Sequence, residues 1–234
     1  MCGRFTLRTP THAIVEAFEL AAVADLPLHY NIAPTQNVAA VRLDPQSRKR
    51  QLSLLRWGLV PSWADDPGVG NRLINARSET VATKPAFRQA FKKGRCLILA
   101  YGFYEWKMTA DGKLPYYIRL ADERPFAFAG LAEHWRRGEQ TNDSCTIITT
   151  DANDLTRDIH DRMPVILASD DYDLWLDPEF TGQDKLLSML QPYPAHEMIA
   201  YRITNVVNRP RNYSPACIAP AKPDDQPPSQ GRLF

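Results

Sequence analysis

Apolar and polar positions along the chain fall mostly into short runs, and few of them have helical spacing. "RCLILAYGFYEWK" at 95–107 and "LPYYIRL" at 114–120 are aromatic-rich strand patterns flanking "MTADGK", whose Asp111-Gly112 pair predicts a hairpin turn. "QLSLLRWGLVPSW" at 51–63, "PFAFAGLAEHW" at 125–135, "SCTIITT" at 144–150 and "HEMIAYRIT" at 196–204 read as further strands. "YNIAPTQNVAAVRL" at 30–43 reads as a loop entering a strand, and "DANDLTRDIHDRMPVIL" at 151–167 as a short helix or loop before one. Helical signals are brief. "TPTHAIVEAFEL" at 9–20 has Thr9 or Thr11 as candidate caps, and "KPAFRQAFKKG" at 84–94 has Pro85 near its first turn and Gly94 at its close. "SDDYDLWL" and "DKLLSML" predict two more short helices.

Strands dominate, and no regular strand–helix–strand alternation points to a doubly wound sheet. The expected architecture is a single α+β domain over residues 1–220, a mainly antiparallel β-barrel-like core with short peripheral helices. A Pro-rich tail over 221–234 is expected to lie outside it. Neither a repeat nor a linker divides the chain.

Composition adds little about function. Hydrophobic residues make up 44% and charged residues 24%, a soluble globular balance. With 28 Lys+Arg against 27 Asp+Glu, only a local patch can serve a polyanion. The four cysteines form no CxxC pair, and no histidines have HExxH spacing, so neither metal nor cofactor is expected. A reducing, cytoplasmic setting is the default for so few cysteines. The absence of an apolar leader or a long apolar run predicts neither export nor a membrane span.

The chemistry begins at "MCGRF". Removal of Met1 would give Cys2 a free α-amine beside its thiol, and its small side chain suits that removal. An α-amine ionises near about 7.7–8.0, so much of it is neutral and nucleophilic at neutral pH. Such an amine condenses with an aldehyde to an imine, and the thiol then closes a thiazolidine ring by an intramolecular step. An internal cysteine or a lysine cannot form this product.

Other groups complement it. In "NARSET" at 75–80, Asn75 can donate and accept hydrogen bonds, and Arg77 offers a fork suited to phosphate. In "GFYEW" at 102–106, strand alternation puts Phe103 and Glu105 on one face and Tyr104 and Trp106 on the other. A carboxyl among aromatics tends to a raised pKa, which suits a general acid. In "DIHDRMPVIL" at 158–167, His160 can shuttle a proton and Arg162 can hold a second phosphate. Thr149, Thr150, Trp57, Trp63 and Trp106 are candidate groove residues, tryptophan faces being able to stack on unpaired bases.

"MCGRF", "NARSET" with "KPAFR", "GFYEW" and "IHDRMPVIL", in that order, resemble the SRAP family, the SOS-response-associated peptidases or abasic-site processing proteins. The likeness runs from Cys2 to about Pro220. It implies an antiparallel barrel-like fold with a positively charged channel. It also implies covalent capture of abasic sites in single-stranded DNA, including those at stalled replication forks, by a protein acting without cofactor, with monomer as the default state. Nucleoid association would follow when it is bound to DNA.

Position by position, the resemblance makes Cys2 the nucleophile and Asn75 the holder of the opened sugar. Glu105 becomes the acid and His160 the proton shuttle. Arg77 and Arg162 become phosphate contacts, with Thr149 and Trp106 lining the site and Arg4 and Trp63 as further DNA-contact positions. The chain departs from the family at Leu99 and Tyr101, where Pro and Asp are common, and in "NYSPAC", at Tyr213, Ser214 and Ala216. Lyase activity would follow from β-elimination of a long-lived imine. The rival readings are a cysteine peptidase using Cys2 with His160 and Glu105, and a non-catalytic single-stranded-DNA or protein-binding module.

Overall fold

A computed structural model of the chain describes residues 2–21 and 23–222. Strands β4 (Arg50–Trp57), β3 (Asn37–Leu43), β6 (Arg95–Ala100), β9 (Phe126–Arg137) and β10 (Gln140–Asp151) close into a barrel. The long β9–β10 hairpin pairs antiparallel from Gln140↔Arg137 to Ile147↔Gly130, while β10 meets β4 in parallel at Ser144↔Arg56 and so seals the ring. On the outer edge of β10 lie β5 (Asn75–Arg77), parallel, and β11 (Arg162–Pro164), antiparallel.

A second, five-stranded antiparallel sheet runs β12-β8-β7-β1-β2, from β12 (Met198–Arg202) through β8 (Gly112–Leu120), β7 (Gly102–Thr109) and β1 (Phe5–Leu7) to β2 (His29–Ile32). Four short helices, α1 (Thr11–Ala17), α2 (Arg88–Lys93), α3 (Tyr172–Leu176) and α4 (Gln183–Ser188), pack outside. Thus the expected α+β barrel is present, and its sheets are mostly antiparallel.

Local details correct several expectations. Neither Thr9 nor Thr11 caps α1: its N-cap is Pro10, Thr11 Oγ1 accepts the Leu26 amide at 2.9 Å, and the Thr9 hydroxyl is buried without a partner among the described residues. Asn75–Arg77, at the start of "NARSET", pairs as a strand with β10. Trp57 is fully buried, with its indole N–H on the Ile74 carbonyl at 2.8 Å, and belongs to the core rather than a groove. Gly94 does follow α2, but as a close-packing position. A Cβ there would collide with the Ala132 carbonyl oxygen, and its φ of −117° needs no glycine. The hairpin turn is as expected, with Gly112 at φ 128°. The tail from 223 onward lies outside the described residues, and the chain holds to β12 as far as the Ala221 amide, 3.0 Å from the Arg202 carbonyl.

The core centres on aromatic edges. Phe5 meets Trp57 at 5.2 Å and Phe128 at 5.6 Å between ring centroids, and Phe128 meets Phe103 at 6.1 Å and Phe126 at 5.3 Å. These edge-to-face contacts add to the area the rings remove from water. Phe5 therefore ties the short strand β1 into the barrel three residues after Cys2. Phe5→Ala is expected to lower unfolding free energy by about 3–5 kcal/mol. Urea denaturation checks this, and a drop below about 1 kcal/mol would contradict the anchoring role.

Candidate active site

β1 delivers the chain start to the site. Its register against β7 is Phe5↔Phe103, and the Tyr104 amide donates to the Arg4 carbonyl at 3.0 Å. Cys2 is fully buried within the core cluster, its Sγ 3.9 Å from the Arg4 carbonyl. Burial pushes its thiol pKa well up, and the nearby Glu105 carboxylate pushes it further. At neutral pH the sulfur is therefore a thiol.

Glu105 sits where the pleat predicted. Phe103 joins the main core, whereas Tyr104 and Trp106 join a separate cluster on the other face with Tyr117, Ile203, Val207 and Cys217. Only 3% of Glu105 is exposed, and loss of hydration raises its pKa to about 7. The charge of Asp161 adds to that rise, so the 160–162 turn lies within electrostatic reach of it.

In that turn, His160 Nδ1 accepts the Arg162 amide at 3.0 Å, so the neutral ring carries its proton on Nε2. Asp161 Oδ1 lies 2.9 Å from the same Nδ1 and favours the imidazolium, but desolvation is the larger influence and lowers the His160 pKa.

A second group is assembled along the β5–β10–β11 edge. Asn75 pairs opposite Ile147, Arg77 opposite Thr149, and Arg162 opposite Asp151. Both polar atoms of the Asn75 side-chain amide are buried without a partner among the described residues. Leaving such atoms unpaired costs free energy, which a hydrogen-bonding ligand would offset. The Arg77 side chain is exposed and makes no ion pair among the described residues.

Arg162 is differently placed from the expected free phosphate contact. Its guanidinium grips both Glu79 carboxylate oxygens, reaches Asp151 Oδ1 at 2.8 Å and donates to the Thr149 carbonyl at 2.7 Å, and only Nε lacks a partner among the described residues. Thr149 is fully buried, its hydroxyl donating to the Ala76 carbonyl at 3.4 Å, so it acts as a wall rather than an exposed contact.

The remaining expected positions divide. Trp106 is half-buried and donates its indole N–H to Asn208 Oδ1 at 2.8 Å. Trp63 is 63% exposed, in the segment whose Val60 and Ala64 cluster with Trp135. Arg4 turns inward, donating to Asn31 Oδ1 at 2.8 Å and the Val207 carbonyl at 3.0 Å. Asn31 and Asn208 were not among the expected residues. Both act on backbone or side chains far away in sequence, and a lone Asn in "YNIAP" or "NVVNRP" carries no periodic signal of that. Among the described residues no group of His, Cys, Asp or Glu is arranged to hold a metal ion.

Comparison with known proteins agrees with this architecture. The model of the SOS response associated peptidase (SRAP) family matches residues 1–210. The abasic site processing protein YoqW of Bacillus subtilis is 45% identical over 223 residues, 93% of this chain and 99% of that protein. The abasic site processing protein HMCES of Xenopus tropicalis is 34% identical across 81% of this chain and 65% of its own length. A crystal structure of a Bacteroides thetaiotaomicron protein superposes with a TM-score of 0.83 at 24% identity, covering 94% of this chain and all of that one, a likeness of fold. With Cys2, Glu105 and the 160–162 turn brought together inside a matched span covering most of its length, this chain belongs to the SRAP family.

Proposed function

We propose that the protein captures abasic sites in single-stranded DNA. Once Met1 is removed, the α-amine and thiol of Cys2 form a thiazolidine with the opened sugar, and the cross-link shields the lesion. The observation that carries this reading is the pairing of an N-terminal cysteine with a buried carboxyl, Glu105, whose pKa is raised to about 7. The relatives named as abasic site processing proteins support the choice of substrate.

The steps balance with groups present. The Cys2 amine adds to the C1′ aldehyde, and Glu105, protonated, gives a proton to the departing hydroxyl, leaving an imine and water. The Cys2 thiol then adds across the C=N bond: sulfur bonds carbon, and its proton passes to nitrogen. His160, neutral with Nε2–H, relays the proton of the sugar hydroxyl as the ring opens and when the link reverses. The orphaned Asn75 amide holds the opened sugar, and Arg77 holds a flanking phosphate. Prolonged imine allows β-elimination at the 3′ phosphate, the origin of a weak lyase activity.

Peptidase chemistry through Cys2 fits less well. A cysteine protease needs a thiolate stabilised by a neighbouring cation, whereas burial and Glu105 both oppose ionisation of this thiol.

Mixing the protein with single-stranded DNA bearing one abasic site is expected to give a covalent band on a denaturing gel, and Cys2→Ala is expected to lose the thiazolidine product. No band from the wild type, or the same product from C2A, would end the proposal. Glu105→Gln is expected to slow single-turnover cross-linking by about 10²–10⁴ while leaving DNA affinity within a few-fold. The sign of the pH effect follows from the raised pKa. The carboxyl carries its proton below about 7 and loses it above, so the wild-type rate should fall on the alkaline side and the variant should lack that fall. An affinity decrease large enough to explain the slower rate would reject the acid role for Glu105.

A further inference from the structure

The chain from 198 to 223 contains no Asp or Glu, yet it carries Arg209 and Arg211 in "NVVNRPRNYS". Both arginines are exposed, and neither guanidinium meets a carboxylate among the described residues. Arg48, Arg50, Arg119, Arg124 and Arg137, by contrast, each face one. Two uncompensated cations two residues apart form a local positive patch that the near-neutral net charge conceals.

The segment that presents them is held firmly. Asn31 Nδ2 donates to the carbonyls of Val207, Arg209 and Asn212 at 3.1, 3.1 and 3.0 Å, and Arg4 braces both Asn31 and Val207. Asn212 Nδ2 closes the loop on the Val206 carbonyl at 2.6 Å, and Cys217 Sγ donates to the Asn212 carbonyl at 3.2 Å. The loop is thus fixed by its backbone, while Arg209 and Arg211 stay exposed. Beside them, Tyr213 is 48% exposed and rests edge-on against His29, ring centroids 5.3 Å apart at 79°. That contact steadies the ring without covering both its faces. Asn208, in the same segment, receives the indole N–H of Trp106, the residue that follows Glu105 on β7.

We propose that residues 205–213 form a second DNA-contact surface, on which Arg209 and Arg211 hold phosphates of the strand as it leaves the lesion past Trp106 and Tyr213 stacks one of its bases. The inference rests on the reading of the site as one for single-stranded DNA. It goes beyond that reading by assigning residues that lie apart from the Cys2 chemistry. Basic side chains interleaved with an aromatic face are the composition that binds unpaired strands without reading sequence.

The test uses the full-length protein and an intact, undamaged single-stranded oligonucleotide, so that it does not depend on the covalent step. Binding is followed by fluorescence anisotropy across a salt series for the wild type, R209Q/R211Q and Tyr213→Ala. The double variant is expected to bind about tenfold more weakly at low salt. Its plot of log affinity against log salt should be shallower by about 0.7 for each phosphate no longer neutralised. Tyr213→Ala is expected to weaken binding by about fivefold or more with the salt slope unchanged, because stacking releases no counterions. At saturating abasic DNA the double variant should reach the wild-type covalent yield. Unchanged affinity and slope in R209Q/R211Q would overturn the proposal, as would a covalent yield that stays low at saturation. A wild type that forms no cross-link while the slope still responds to the arginines would remove the chemistry and leave this surface standing.

Discussion

The proposed chemistry depends on holding the segment around Cys2 still. The first residues of a domain are ordinarily mobile, and a mobile nucleophile forfeits the advantage of proximity. Here β1 lies between β7 and β2, and Phe5 is locked among Trp57 and Phe128 in the barrel core. On the way to that anchor, Arg4 is clamped by Asn31 and the Val207 carbonyl. Cys2 is thus fixed from two directions, one apolar and one polar, before any substrate arrives.

The same burial sets the protonation states. Low polarity raises the Glu105 carboxyl to about 7, keeps the Cys2 sulfur a thiol, and lowers the pKa of the His160 ring. A site of half-protonated carboxyl, neutral thiol and neutral imidazole suits carbonyl condensation, in which protons are passed in sequence and no stable ion pair is required. It is poorly suited to a thiolate–imidazolium pair. The charged work is moved to the edge, where Arg77 makes no ion pair among the described residues while Arg162 is held between Glu79 and Asp151. Arg162 thereby fixes the backbone of Thr149, so one cation carries the geometry while Arg77 stays exposed.

Much of this was legible in the sequence because it follows from local pattern. The Asp111-Gly112 turn, the long β9 and β10 runs, and the alternation that separates Glu105 from Tyr104 and Trp106 all depend on near neighbours. The seam that closes the barrel was not readable, since the parallel β10–β4 pairing joins positions nearly ninety residues apart, Ser144 with Arg56. The three-residue strands β1 and β5 are too short for any periodicity and owe their pairing to β7 and β10. Thr9 and Thr11 carried a cap signal that tertiary contacts overrode. At the site, residue types pointed to Cys2, Glu105 and His160, but the engagement of Arg162 by carboxylates and the inward turn of Arg4 are set by long-range contacts that spacing cannot reveal.

The central claim is that an N-terminal aminothiol, freed by removal of Met1, bonds the sugar carbon of an abasic site. Intact-mass measurement of the protein after incubation with an abasic oligonucleotide tests it in one spectrum. The predicted species is the chain lacking Met1 joined to one oligonucleotide, with the loss of one water. An adduct on protein that still carries Met1, or no adduct on protein that has shed it, would contradict the claim.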